Sequence, residues 1–175
     1  MKKIGFIFLV ILTLSFLISL FSEEFTYVGS AKCKICHNTE KQGQQYPIWK
    51  ESKHSQSFAA LTSEQTIQAA KEAGMEKMPA ENPKCLPCHA PLSQNAEELK
   101  EEGVTCEVCH GPGSAYKKLN IMKNKEEAVQ NGLVVYGSPD AIKQKCLSCH
   151  ENAHEKPFDF EMKWNKIKHP RPDKE

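Results

Sequence analysis

Residues 103–116 read GVTCEVCHGPGSAY. Inside this stretch Cys106, Cys109 and His110 form a Cys-x-x-Cys-His unit, and the chain carries the same unit three more times. Cys33, Cys36 and His37 lie in CKICH, Cys85, Cys88 and His89 in CLPCH, and Cys146, Cys149 and His150 in CLSCH. All eight cysteines fall in these four pairs, each with two residues between the thiols and a histidine immediately after. That pattern is the attachment signature of c-type haem. Two thiols three positions apart on one helical turn both reach the vinyl edge of a porphyrin. The next residue then sets an imidazole beneath the ring, where it binds iron.

Other chemistries use paired cysteines. The 17 residues between Cys88 and Cys106 match a zinc-ribbon spacing, and eight cysteines in an exported chain would ordinarily mean four disulfides. Neither zinc nor a disulfide requires histidine after each pair. Histidine is 7 of 175 residues; at that frequency four chance matches in four pairs arise roughly a few times in a million. Thioredoxin-like chemistry fails on the same count. The sequence therefore points to four covalently attached c-type haems, with no catalytic residue of its own.

The chain opens MKKIGFIFLVILTLSFLISLFS, two lysines before an apolar run of 18 residues from Ile4 to Phe21. This is the layout of a secretory leader over residues 1–22, with Ser22 or Ser19 as the last residue removed. The run barely reaches the length of a bilayer span, so retention as an N-terminal anchor is the alternative. Either way residues 23–175 are expected outside the cytoplasmic membrane, in the periplasm or on the membrane's outer face, where c-type haem is attached. Without the leader, 21 basic and 22 acidic residues remain. A charge near zero gives no reason to expect nucleic acid as a partner, and a membrane enters only if the leader is kept.

Between the motifs the sequence reads as short helices and loops, with little or no sheet. In IWKESKHSQSFAAL, His54, Phe58 and Leu61 fall at i, i+4 and i+7, one helical face. TSEQTIQAAKEAG follows, with Thr62 and Gln65 spaced as a capping box and Gly74 as a stop. NAEELKEEG reads as a short helix capped by Asn95 and ended by Gly103. NKEEAVQNG reads as another, from Asn124 to Gly132. LVVYG is an isolated strand-like run, which cannot make a sheet alone. SPDAIKQKCLSCH opens with Ser138 and Pro139 placed as N-cap and first helical residue. The tail KHPRPDKE reads as extended. Intervals of 48, 17 and 36 residues separate successive pairs, so the site repeats and the fold does not. The expected class is a mainly α multihaem cytochrome c fold. Its apolar content is thin, and four flat apolar porphyrins would supply the interior.

Each iron has a second axial position. Four histidines belong to motifs, leaving His54, His154 and His169. Three cannot fill four distal positions, so unless a partner chain contributes a ligand, at least one iron is five-coordinate or takes another side chain: Met75, Met78, Met122, Met162 or a lysine. His154 stands four residues after His150 and cannot reach the opposite side of the same iron if the helix continues. It would serve a neighbouring haem or be a surface residue. His54 on its apolar face, and His169 beyond the aromatic segment PFDFEMKW, are the stronger candidates for distal ligands.

With these residues in hand the chain resembles the tetrahaem cytochrome c-554 family from about Gly29 to His169. The likeness rests on GSAKCKICH, WKESKHSQS, GVTCEVCHGPGSAY, KCLSCH and FDFEMKWNKIKH. The resemblance implies distal-ligand roles for His54 and His169, and a five-coordinate second haem at Cys85, Cys88 and His89. It also implies a further ligand histidine just beyond CHGPG. Here that region reads SAYKKLNIMKN, without histidine; His154, Met122 or Lys118 could compensate, or the site is open. The expected function is electron relay between transiently docked redox proteins, through bis-histidine haems closed to substrate. The alternative is redox chemistry on nitric oxide, nitrite, hydroxylamine or peroxide at an open iron. No proton-delivery group is evident for it. Assembly into a conducting filament is a third possibility that nothing in the sequence requires.

Overall fold

The computed structural model describes residues 24–151 and 157–170. The expected leader at residues 1–22 and the candidate ligand His154 lie outside them. Among the described residues there are ten α-helices and three short 3-10 helices, with no strand, and no helix is long and apolar enough to cross a membrane. The longest helix, Pro139–His150, has 12 residues. The fold is mainly α, as the sequence implies, and LVVYG is extended coil rather than a strand.

Where local side chains dictate the ends of a helix, the structure follows the sequence. Ser138 accepts from the Ala141 N–H at 3.2 Å, and Pro139 takes the first helical position. Asn124 caps Lys125–Gln130 by accepting from the Glu127 N–H at 3.1 Å. Gly74, at φ +66°, follows the end of Glu64–Glu72 in the left-handed region that an L side chain avoids.

Three expectations are corrected. The segment around His54 is two helices, Gln45–Glu51 and Ser57–Leu61, and His54 sits in the turn between them. Serine hydroxyls compete with the helical ladder there. Ser52 Oγ donates to the Trp49 carbonyl at 2.7 Å, the His54 N–H donates to Ser52 Oγ at 3.2 Å, and Ser55 Oγ reaches the Lys50 carbonyl at 2.8 Å. The next helix is capped by Ser63, which accepts from the Thr66 N–H at 3.2 Å. Thr62, read as the cap, instead donates its hydroxyl to the Ala59 carbonyl of the helix before. The run after Asn95 is a 3-10 helix, Glu97–Glu102, with Ala96 at its N-cap; Gly103 does end it, at φ +69°.

The protein's own core is small. One cluster joins Phe58, Leu61 and Ala90, with Leu86 and Cys85 against it; another joins Tyr116, Ile121 and Ala128. Ile35, between the first pair of thiols, is 79% exposed. A domain this size normally needs a larger interior or covalent staples.

A buried carboxylate holds the N-terminal segment in place. Glu107, 2% exposed, accepts from the N–H groups of Val28 (3.0 Å), Gly29 (2.8 Å) and Gly113 (2.7 Å). Glu102 accepts from the Ser30 N–H at 2.7 Å, and Ser30 Oγ accepts from the Cys106 N–H at 3.3 Å. These bonds draw Ser30–Lys34, which opens the first motif, against Cys106–His110 of the third. Gly113 must lack a side chain, because a Cβ there would meet Glu107 Oε1 at 2.9 Å. Removing the carboxylate leaves the part-buried Val28 N–H and the two buried N–H groups of Gly29 and Gly113 unpaired, the buried ones each costing about 1–3 kcal/mol. Glu107→Ala is therefore expected to lose about 3 kcal/mol or more in guanidinium unfolding of the exported protein. A loss under about 1 kcal/mol would contradict the anchoring role.

Candidate haem sites and their axial histidines

Each motif occupies one helical turn. In the first, the N–H groups of Cys36 and His37 both donate to the Cys33 carbonyl, at 3.2 and 3.0 Å. In the second, Cys88 and His89 repeat the pattern on Cys85, at 3.2 and 3.0 Å. The third motif is the helix Cys106–His110, and the fourth is the C-terminal end of Pro139–His150. All eight thiols are free. Among the described residues, no three or more His, Cys, Asp or Glu converge as they would around a bare metal ion. The paired cysteines thus gather neither as a zinc site nor as disulfides.

Two of the motif imidazoles are held by one nitrogen. His89 Nδ1 lies 2.9 Å from the Ser57 carbonyl, and His37 Nδ1 3.3 Å from Gln45 Oε1. The Val134 N–H donates to the His110 carbonyl at 2.9 Å. A ring that donates from Nδ1 leaves the Nε2 lone pair for a metal and gains basicity.

Two of the spare histidines face motif histidines. The His54 and His150 rings have centroids 6.1 Å apart, and the His110 and His169 rings 5.9 Å apart. Two imidazoles on opposite sides of one metal ion, each bonded at about 2 Å and with ring radii of about 1.1 Å, have centroids about 6.2 Å apart. Both observed pairs match. His54 thus faces the motif histidine of the fourth site and His169 that of the third, partners that sequence counting leaves open. Burial, with His150 nearby, holds the His54 ring below the usual histidine range; burial and His169 do the same for His110. Burial and the charge of Lys163 lower His150. The lowering favours the neutral ring, the form that can bind a metal. Phe158 stacks on His150 with centroids 4.7 Å apart. Met122, an alternative ligand from the sequence, packs against the Tyr116 cluster, and Met162 is exposed. Lys118 stands at the N-cap of Leu119–Met122.

Ser30–Lys34 of the first motif packs on Cys106–His110 of the third, and the Cys106 N–H donates to Ser30 Oγ. The Tyr136 hydroxyl, just before the helix that carries the fourth motif, donates to the Cys109 carbonyl of the third at 3.0 Å. First and third motifs are therefore neighbours, and the third is tied to the segment leading into the fourth. Ser57 ties the second site to the fourth. Its hydroxyl lies 2.8 Å from the carbonyls of both His54 and His89. Sequence reasoning did not single out Ser57, Gln45, Glu102 or Glu107. Only Glu107 had a visible mark, a carboxylate inside CEVCH beside the glycines of GPG.

These observations fit covalent haem: thiols and an imidazole on one turn, a neutral imidazole facing it at the separation of a shared metal, and an interior too small for the chain. Residues 32–111 match the family model described as Cytochrome c554 and c-prime. The chain is 24% identical over 147 residues to the protein named Cytochrome c-554 from Nitrosomonas europaea, covering 75% of this chain and 60% of that one. The chain thus spans about three-fifths of the length of that curated relative. No solved structure matches it.

If His54 and His169 close different irons, their loss is independent. His54→Ala is expected to add one high-spin ferric signal per chain in electron paramagnetic resonance. His169→Ala should add another, and the double variant two. An unchanged spectrum in either single variant would refute that ligand.

Proposed function

We propose, from the match of residues 32–111 to the family model and the 24% identity to Cytochrome c-554, that the chain is a member of the cytochrome c554 family and an exported tetrahaem electron carrier. In this reading it relays electrons between transiently docked redox proteins by hopping between haems held at its four motifs. A bound haem supplies a one-electron ferric–ferrous couple, whose potential is set by axial ligands, hydrogen bonds and burial. The chain's residues do the rest. Cys33, Cys36, Cys85, Cys88, Cys106, Cys109, Cys146 and Cys149 would hold the haems, and His37, His89, His110 and His150 would bind their irons. His54 and His169 would cover the far side of the fourth and third.

The observation that carries the proposal is how the motif segments are tied to one another. Ser30–Lys34 of the first packs on Cys106–His110 of the third, Tyr136 before the fourth donates to the Cys109 carbonyl of the third, and Ser57 joins His54, which faces the fourth, to His89 of the second. These ties support a route in the order first, third, fourth, second, which differs from the order along the chain. Imidazole on both sides of the middle two sites favours relay there over substrate binding.

One count favours a second activity at the ends of the route. With His54 and His169 committed, His154 is the one histidine left for the first and second motifs. At least one of those irons would then have no histidine from this chain on its far side, a position that could admit nitric oxide, nitrite, hydroxylamine or peroxide.

Anaerobic titration of the exported protein with a one-electron reductant separates these readings. The carrier is expected to take up four equivalents per chain and to turn over those small molecules more slowly than about 1 per second, the low end of ordinary enzyme rates. Uptake of fewer than four equivalents would contradict the tetrahaem carrier. Faster turnover would make the open-iron chemistry the main activity.

A further inference from the structure

The second and fourth sites share a backbone tie that has a counterpart at the first and third. His89, in the second motif, is held by the Ser57 carbonyl, three residues after His54, the ligand facing the fourth motif. His37, in the first motif, is held by Gln45: Nδ1 to Oε1 at 3.3 Å. The other end of the same amide, Gln45 Nε2, donates to the Pro170 carbonyl at 3.1 Å. Pro170 directly follows His169, which faces His110 of the third motif. In both pairs, the imidazole of one motif is bonded to the segment that delivers the facing histidine of its neighbour. At the second and fourth sites the connection is backbone; at the first and third it is a single glutamine side chain.

We propose that Gln45 is a positioning residue with two ends, one holding the His37 ring by Nδ1 and the other seating the closing segment so that His169 stands opposite His110. The atom assignment is self-consistent. His37 bound to a metal through Nε2 carries its proton on Nδ1 and donates to Oε1, which turns the amide nitrogen toward the Pro170 carbonyl. The contact is shaped on its third side by Gly43. This residue is buried with φ +90°, and a Cβ there would meet the Pro170 carbonyl at 2.6 Å and Gln45 Nε2 at 2.7 Å. A side chain at position 43 would push the two partners apart. Because an outer hydrogen bond to a ligating imidazole raises its donor strength, the amide acts on the potential at the first site. Through Pro170 it acts on ligation at the third.

The inference rests on haem being attached at the first and third motifs, and the test keeps the two claims apart. Gln45→Leu and Gln45→Glu both lose the amide donor to Pro170 but change the bond to His37 oppositely. Leucine removes the acceptor; glutamate supplies a stronger, charged one. In potentiometric titrations of the exported proteins, one of the four potentials is expected to rise in Gln45→Leu and to fall in Gln45→Glu. Both variants should gain a high-spin ferric signal as His169 ligation weakens, and Gly43→Ala should gain the same signal. Two variants in which no potential moves in opposite directions would overturn the role of Gln45 and leave a merely structural contact. Should Gln45→Leu fail to accumulate, the glutamate variant decides alone: a fall supports the proposal, no change refutes it. Haem content by the alkaline pyridine assay is measured on the same samples. A wild-type value below four would overturn the attachment premise, whereas four haems with unmoved potentials overturn Gln45 only.

Discussion

A metal shared by two imidazoles fixes their separation within a few tenths of an ångström, because metal–nitrogen bonds are short and stiff and the rings are rigid. In this chain that constraint is met twice, by His54 with His150 and by His110 with His169. Each pair joins segments distant in sequence, so the separations cannot come from local helical geometry. The Ser52–Ser55 turn brings His54 out of the helical ladder to face His150. The short helix Phe160–Ile167, capped by Asp159 on the Met162 N–H at 3.0 Å, delivers His169 just beyond its end. Both turn and helix make sense as ligand carriers and would be hard to justify by the little apolar area they bury.

The polypeptide contributes the second constraint, a buried anion without a buried cation. Glu107 is neutralised by backbone N–H groups alone, the arrangement that makes a buried carboxylate tolerable. Its three bonds fasten residues 28, 29 and 113 around the third motif. Ser30–Lys34 of the first motif packs on Cys106–His110 of the third as a consequence. A carboxylate inside one motif thus decides where a different motif sits. Ser57 performs a similar task for the second and fourth motifs with neutral groups.

What could be read from the sequence follows how local the cause is. The four motifs, the Ser138–Pro139 start, the Asn124 cap and the Gly74 stop depend on a few adjacent residues and were legible. The continuous helix through His54 was misread because periodicity registers Phe58 and Leu61, both buried, and ignores serine hydroxyls competing for the same carbonyls. The cap read at Thr62 is displaced by one residue, to Ser63, because neighbouring hydroxyls compete for one N–H; at Asn95 the helix begins one residue later, behind Ala96, with no side-chain cap. Counting histidines identified His54 and His169 as candidates, and only the fold could say which motif each one faces. The pairing of first with third and second with fourth was invisible, since the intervals between motifs carry no mark of it.

The central claim is that porphyrins joined by thioether bonds at all four cysteine pairs form the interior of this domain. The most direct test is the intact mass of the protein exported from a host able to attach haem. The account predicts a mass above that of the mature polypeptide by four haems. The bare polypeptide mass, or that mass reduced by two hydrogens for each cysteine pair, would contradict it.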